Sequence, residues 1–197
     1  MNHALRCRCG MVRGSVSHPD KVNRGVCYCR DCQAYAHVLG SNGILDELGG
    51  TDVVATLPQY VAFAQGMDSL ACMSLTETGL LRWYASCCNT PIGITQRDYK
   101  VSFVGLVHSC LEHSPTTLDE AFGPVRMRVN TQHAKGKPKP MILSTITSVS
   151  RFFASVIRAR LDGSYKRTPF FDPLLGTPVV PPRVLSPSER VRAFDAV

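Results

Sequence analysis

The sequence predicts a mainly β fold of short antiparallel sheets with a C-terminal helical extension. Three observations carry this. Short segments rich in Val, Tyr, Phe and Thr recur between Gly, Asn, Asp and Pro. Nine cysteines are unevenly spread, five of them within the first 32 residues. Beyond residue 134 the apolar residues fall at helical spacing. A hydrophobic fraction of 44% and a charged fraction of 19% over 197 residues exclude disordered and fibrous classes. No apolar run approaches the roughly 20 residues of a bilayer-spanning helix. The opening Met1-Asn2-His3-Ala4-Leu5-Arg6 has no apolar core of a secretory signal, so a cytoplasmic location is expected.

The strand candidates are residues 4–8, 11–17, 23–28, 52–56, 59–64, 70–75, 80–85, 91–95, 101–106 and 125–129. Asp20, Asn42-Gly43, Gly49-Gly50 and Gly66 supply turns between them. A short helix is expected near 30–38 and another over 117–122, capped by Thr116 or Thr117. Ala134-Lys135-Gly136-Lys137-Pro138-Lys139-Pro140 reads as an exposed basic linker. Ile142, Ile146, Val149, Phe152, Phe153, Val156, Ile157 and Leu161 then predict an amphipathic helix over about 143–161, decorated by Arg151, Arg158 and Arg160. Pro173, Pro178, Pro181, Pro182 and Pro187 predict an irregular, extended tail. A last short helix starts at Ser186 or Ser188, with Glu189 in its first turn.

The cysteines carry the chemistry. An odd count leaves at least one without a disulfide partner. Pairs at i,i+2 and i,i+3 are poor disulfide partners but suit one metal ion. In a strand, residues i and i+2 face one side, so Cys7-Arg8-Cys9 presents two sulfurs together, as does Cys27-Tyr28-Cys29. Cys29-Arg30-Asp31-Cys32 adds a C-x-x-C turn, so three thiols converge from six residues. Thiolates favour soft or borderline ions, of which zinc is the common intracellular one. Arg6, Arg8 and Arg30 offset part of the negative charge. A thioredoxin-like redox site at Cys29 and Cys32 fits less well, since that motif opens a helix within a strand–helix–strand setting and the third thiol at Cys27 suits a metal better.

With these motifs in view, the sequence resembles the glutathione-dependent formaldehyde-activating enzyme (GFA, or CENP-V-like) family. Cys7-Arg8-Cys9-Gly10 matches its early C-x-C-G, and Cys27-Tyr28-Cys29-Arg30-Asp31-Cys32 its C-x-C-x-x-C. The stretch Trp83-Tyr84-Ala85-Ser86-Cys87-Cys88-Asn89 corresponds to its later F-C-x-x-C-G, and the resemblance spans residues 4–130. It implies a zinc-bearing β domain over residues 1–134 with the Mss4-like β-tent fold. Residues 135–197 form the linker, helix and Pro-rich extension outside it. It also implies two zinc ions. A structural zinc takes the early C-x-C and the later pair. A second, catalytic zinc takes Cys27, Cys29 and Cys32 and keeps one position open. The third motif departs from the pattern: aligned on Cys88, the family's other cysteine falls on Ala85 and its glycine on Asn89. Cys7, Cys9 and Cys88 are therefore the firmer structural ligands. Cys87 completes the set only if a turn redirects it, since adjacent strand residues face opposite ways; otherwise the fourth ligand is water or another residue.

The resemblance implies carbon–sulfur lyase chemistry on formaldehyde and glutathione, joined reversibly as S-hydroxymethylglutathione. Zinc there either holds the glutathione sulfur or polarises the formaldehyde oxygen, and the two roles compete for one position. Arg30 and Arg82 are candidates to orient glutathione's carboxylates, with surface solvation as the plainer role. The alternatives are a zinc enzyme acting on another small electrophile, and a non-catalytic zinc-stabilised module binding a partner or nucleic acid through its basic surface.

The remaining candidates read more plainly. His37 is placed to cap the open zinc position but reads first as a solvated residue. His108, Cys110 and His113 lack metal-ligand spacing, and Cys72 alternates with apolar residues as a buried strand cysteine. Residues 1–140 hold 14 basic and 11 acidic residues, and residues 141–197 hold 8 and 4, giving the total of +7. The tail is the more basic part for its length. The interleaved aromatics of a single-strand binder are absent, which argues against nucleic acid. The helix over 143–161 packs its apolar stripe on the β body or on a second copy of the chain in a homo-oligomer; a membrane-surface helix using Phe152 and Phe153 is the other reading.

Overall fold

The computed structural model describes residues 2–40, 43–112 and 115–197. Asn42, half of one expected turn, and His113 lie outside the described residues. Strands β1 (His3–Arg6) and β2 (Arg13–Val16) pair as a hairpin, and β3 (Asn23–Cys27) runs into helix α1 (Arg30–Leu39). There follow β4 (Thr51–Thr56), β5 (Val61–Gln65), β6 (Leu70–Ser74), β7 (Leu81–Ala85), β8 (Thr90–Thr95) and β9 (Val104–Val107). The rest holds α2 (Leu118–Phe122), β10 (Met127–Val129), α3 (Ile142–Leu161), β11 (Arg183–Val184) and α4 (Pro187–Asp195).

The protein is mainly β, with two sheets and a few helices. One sheet runs β1-β2-β5; the other runs β10-β3-β4-β9-β8-β7-β6-β11. Each segment read as a strand from the sequence holds one, and each expected helix forms. Thr117 and Ser186 cap α2 and α4 through reciprocal bonds with Glu120 and Glu189. Pairing is antiparallel except at the two edges of the larger sheet, where β10 joins β3 and β11 joins β6 in parallel. Parallel neighbours need long connections. These are supplied by the eight elements between β3 and β10 and by the path through α3 between β6 and β11. β11 was not legible in sequence, because two residues among prolines carry no alternation to read.

Period-two alternation divides the larger sheet. On β7, Leu81, Trp83 and Ala85 enter the core shared with the smaller sheet, while Arg82 and Tyr84 face α1. The shared core takes Leu5 from β1, Val16 from β2, Val61 from β5 and Leu106 from β9. On the far face, α1 buries Ala34, Tyr35, Ala36 and Leu39 against Met73, Leu75 and Val107. The Tyr35 hydroxyl donates to the Trp83 carbonyl at 2.8 Å, fixing the helix to the sheet. Gly40, in the left-handed conformation at φ 59°, ends α1.

Residues past the basic linker enter this core. Phe170 is fully buried, with its ring 5.2 Å from Trp83 and 5.7 Å from Phe63. At the other end of β3, the buried Arg24 guanidinium donates to both carboxylate oxygens of Asp52 and to Asp119, and the Gly123 carbonyl accepts a further bond. One side chain thus ties β3, β4 and α2, and places the two ends of β3 on fixed supports.

Two predictions follow from the packing and capping. Phe170→Ala opens a cavity beside Trp83 and costs about 3–5 kcal/mol, read as a lower urea midpoint at unchanged slope; a shift below about 1 kcal/mol would show that the ring is not a core member. Backbone and side-chain hydrogen bonds from Ser186, together with Arg183, hold Glu189 down at about 2. Its contribution to α4 is present above the ordinary glutamate range and is lost as pH falls from about 4.5 towards 2. Glu189→Gln removes that part of the acid transition in helical circular dichroism.

Candidate metal centres

The first centre is built from two turns. Cys7 and Cys9 follow β1 in a loop closed by the Gly10 N–H to the Cys7 carbonyl at 2.9 Å and the Cys7 N–H to the Val12 carbonyl at 3.0 Å. Gly10 sits at φ 78°, which glycine adopts without steric cost. Cys87 and Cys88 lie in the turn between β7 and β8, completed by Asn89 at φ 54°, a left-handed conformation that asparagine tolerates. This turn redirects Cys87, so it does not point away from Cys88 as it would in a strand. Arg8 joins the two loops: its N–H donates to the Thr90 hydroxyl and its guanidinium to the Cys88 carbonyl, each at 3.0 Å.

All four sulfurs lie within 4.8 Å of one another. Cys7 and Cys9 are 3.5 Å apart, Cys9 and Cys87 3.3 Å, and Cys87 lies 3.8 Å from both Cys7 and Cys88. A tetrahedron of sulfurs about 2.3 Å from a central ion has edges of about 3.8 Å. The four cysteines are free and too far apart for disulfides. Cys7 is buried and accepts the Val12 N–H at 3.2 Å, while Cys9 and Cys87 are exposed. Burial pushes the Cys7 thiol up, and local desolvation together with the neighbouring Cys9, Cys7 and Cys88 thiols pushes Cys87 up. Against the push of burial, the Thr90 hydroxyl and the Cys9 backbone hold Cys88 down to about 6.

The second centre sits where β3 meets α1. Cys27 ends the strand, Cys29 is the N-cap of the helix and Cys32 lies in its first turn. Their sulfurs also lie within 4.8 Å of one another, and among the described residues no other His, Cys, Asp or Glu joins them. The Cys29 sulfur accepts the Cys32 N–H at 3.3 Å, and the Asn130 amide donates to the Cys27 sulfur at 3.5 Å. Interaction with Cys29, then with Cys32, draws the Cys27 thiol down to about 2, and sharing that charge raises Cys29 and Cys32. The free amides at the start of α1 add positive potential beside the thiols. Both sulfur groups can hold a metal ion.

The other candidates lie elsewhere. Arg30, at the start of α1, stacks 5.5 Å over the Phe194 ring of α4. Arg82 is buried, pairs with Asp31 at 3.4 Å and lies over the Tyr35 ring, so its cation is directed at α1. His37 is exposed and stands outside the sulfur group. The ring nitrogens of His108 lie 3.2 and 3.3 Å from the carbonyls of Asp52 and Gly43, and Cys110 is buried against those of Val107 and Ile92. Cys72 is a core thiol that burial pushes up to about 12.

Three supporting residues escaped the sequence reading. Thr90 carries a local signal, two residues after Cys88. Asn130 has none, because it reaches Cys27 only through the parallel register that sets Val129 beside Cys27. Gln33, fully buried, donates to the carbonyls of Tyr28 and His133 and braces the same junction.

Metal content measured on purified protein tests the grouping. Cys9→Ser lowers bound metal by one ion per chain and lowers the melting temperature, whereas Cys72→Ser leaves the metal content unchanged. Equal metal content in wild type and Cys9→Ser would overturn it.

No curated protein matches the chain. Residues 2–172 match a family of unknown function, DUF6151, and the chain belongs to that family.

Proposed function

We propose that the chain is a zinc protein of the formaldehyde-activating type, with a structural zinc on Cys7, Cys9, Cys87 and Cys88 and a catalytic zinc on Cys27, Cys29 and Cys32. The observation that carries this reading is the inequality of the two groups: four sulfurs in one, three in the other. Four thiolates make a closed structural site, while three leave the open position that zinc catalysis needs.

The departures from the resembled family motif support the reading. Where the family's other cysteine falls on Ala85, Cys87 supplies a fourth sulfur 3.3 Å from Cys9. Where the family has glycine, Asn89 takes a left-handed conformation, which glycine adopts without steric cost. An Mss4-like arrangement of small sheets around zinc is the fold this reading expects.

When bound at the second group, zinc supplies Lewis acidity at the position the three sulfurs leave open. The chain's own residues set the environment. The Asn130 amide and the start of α1 stabilise negative charge on the sulfurs, and Gln33 holds the strand–helix junction in place. In the reaction, the glutathione thiol gives up its proton, the sulfur bonds to the formaldehyde carbon, the carbonyl π pair moves to oxygen, and that oxygen takes one proton in exchange. The reverse step cleaves the same carbon–sulfur bond.

The test is two-fold. Zinc analysis is expected to give two ions per chain, and one in a Cys32→Ser variant that keeps its β circular dichroism. Exchange spectroscopy of formaldehyde with glutathione is expected to show faster exchange with wild type and not with Cys32→Ser. An unchanged exchange rate with both ions bound sinks the catalytic proposal and leaves a metal-stabilised binding module.

A further inference from the structure

Helix α3 is amphipathic, but the structure divides its apolar residues between two faces. Phe152 turns inward, its ring 5.8 Å from Phe103, and Ser148 and Ala159 are buried on the same side. Leu143, Ile146, Phe153, Ile157 and Leu161 face solvent, between 57% and 82% exposed. Leu143 and Ile146 stand three residues apart and Phe153, Ile157 and Leu161 four apart, so the two groups, with Ser150 between them, lie along one face of a helix about 30 Å long. Their open surface amounts to several hundred Å2, the size of patch that marks an interaction site.

Charge identifies the partner. Residues 121–161 contain eight Lys and Arg and not one Asp or Glu. The remaining residues of the chain carry 14 basic against 15 acidic groups, so the entire positive balance sits in the segment that ends with this helix. Along the polar flank of α3 runs a cleft of about 630 Å3. Lys21 and four arginines line it, Arg151 and Arg158 of α3 among them, against the two acidic groups Asp20 and Asp162. The Ser164 hydroxyl is buried in this cleft without a hydrogen-bond partner.

An apolar stripe bordered by a flank where five basic groups outnumber two acidic ones matches a bilayer surface of anionic phospholipid. The acyl boundary receives the apolar side chains, and the headgroup phosphates meet the arginines. A second copy of the chain matches less well, because pairing the stripes brings two acid-free segments of eight positive charges together. Nucleic acid matches less well, because a phosphate backbone pairs with the arginines but leaves most of a stripe of five apolar side chains exposed to water. No helix among the described residues is long and apolar enough to cross a membrane, so α3 would lie in the plane of the interface.

We propose that α3 docks this protein on the surface of a membrane rich in anionic phospholipid, with the Leu143–Leu161 stripe inserted and the Arg151/Arg158 flank on the headgroups. This is independent of the chemistry at the cysteines. Co-sedimentation of the full-length, metal-loaded protein with vesicles tests it. Binding to phosphatidylcholine vesicles containing phosphatidylglycerol is expected to be about tenfold or more tighter than to phosphatidylcholine alone, and to weaken as salt is raised towards about 1 M. Phe153→Ser with Ile157→Ser abolishes it while circular dichroism and metal content stay unchanged. Arg151→Gln with Arg158→Gln weakens it about tenfold. Three results would overturn the proposal: no co-sedimentation with anionic vesicles at low salt, binding indifferent to Phe153→Ser with Ile157→Ser, or a dimer in light scattering that the same substitutions dissolve, which gives the stripe to a second copy.

Discussion

The approach of four sulfurs from turns some eighty residues apart is the contact on which the rest of the arrangement depends. Cys7 and Cys9 leave β1, Cys87 and Cys88 join β7 to β8, and the sulfurs meet within 4.8 Å. Such a contact closes a long loop and is entropically costly unless something in its centre repays it. Four thiolates alone repel one another. A divalent cation reverses that sign, and in small thiolate domains the apparent binding energy is about 10–16 kcal/mol, as large as the whole stability of a domain. The local backbone is already shaped for it. Gly10 and Asn89 occupy left-handed conformations at matching places in the two loops, and Arg8 ties one loop to the other. That meeting sets the smaller sheet against the larger, so Leu5 and Val16 face Trp83 across one core.

The second sulfur group obeys a different constraint. It does not join distant turns; it occupies the junction of one strand and one helix. Its geometry is therefore inherited from β3 and α1, and these are fixed by other means. Arg24 anchors the far end of β3 to Asp52 and Asp119, and the Tyr35 hydroxyl anchors α1 to β7. A group held from outside can lack a fourth protein ligand without losing its shape. A group that itself holds the fold together cannot. The physical difference between the two centres is thus not only the number of sulfurs but how much of the fold each one joins.

Much of this was legible in the sequence, and the limits have physical causes. Alternation and turn residues announced the strands, since both are local signals. The C-x-C and C-x-x-C spacings announced which sulfurs converge, although Cys7 and Cys9 meet in a turn after β1 and Cys29 caps α1, rather than on the extended strands that the spacing suggests. Cys87 was harder. Strand alternation places it opposite Cys88, and only a turn centred on Asn89 reverses that. Asn130 and the parallel edges β10 and β11 were out of reach, because they depend on where the chain returns after a long excursion. Phe170 and Phe171 sit in a stretch whose prolines mark it as irregular, and nothing in irregularity says that its aromatics enter the core beside Trp83.

The chain's charge gains meaning only when the structure is laid over it. A total of +7 spread over the protein is a weak statement about solubility. Confined to residues 121–161, it becomes a statement about one surface. The segment begins in α2, passes the strand β10 that holds Asn130 beside Cys27, and ends at the exposed stripe of α3. The same stretch of chain therefore supports the second sulfur group at one end and presents apolar and basic side chains outward at the other. β10 is bonded to β3, and α3 packs against the body through Phe152 and Ser148, whose carbonyl accepts the Asn23 amide at 3.1 Å. Asn23 and Cys27 are the two ends of one strand, so β3 carries the contact with α3 at one end and the first sulfur of the second centre at the other.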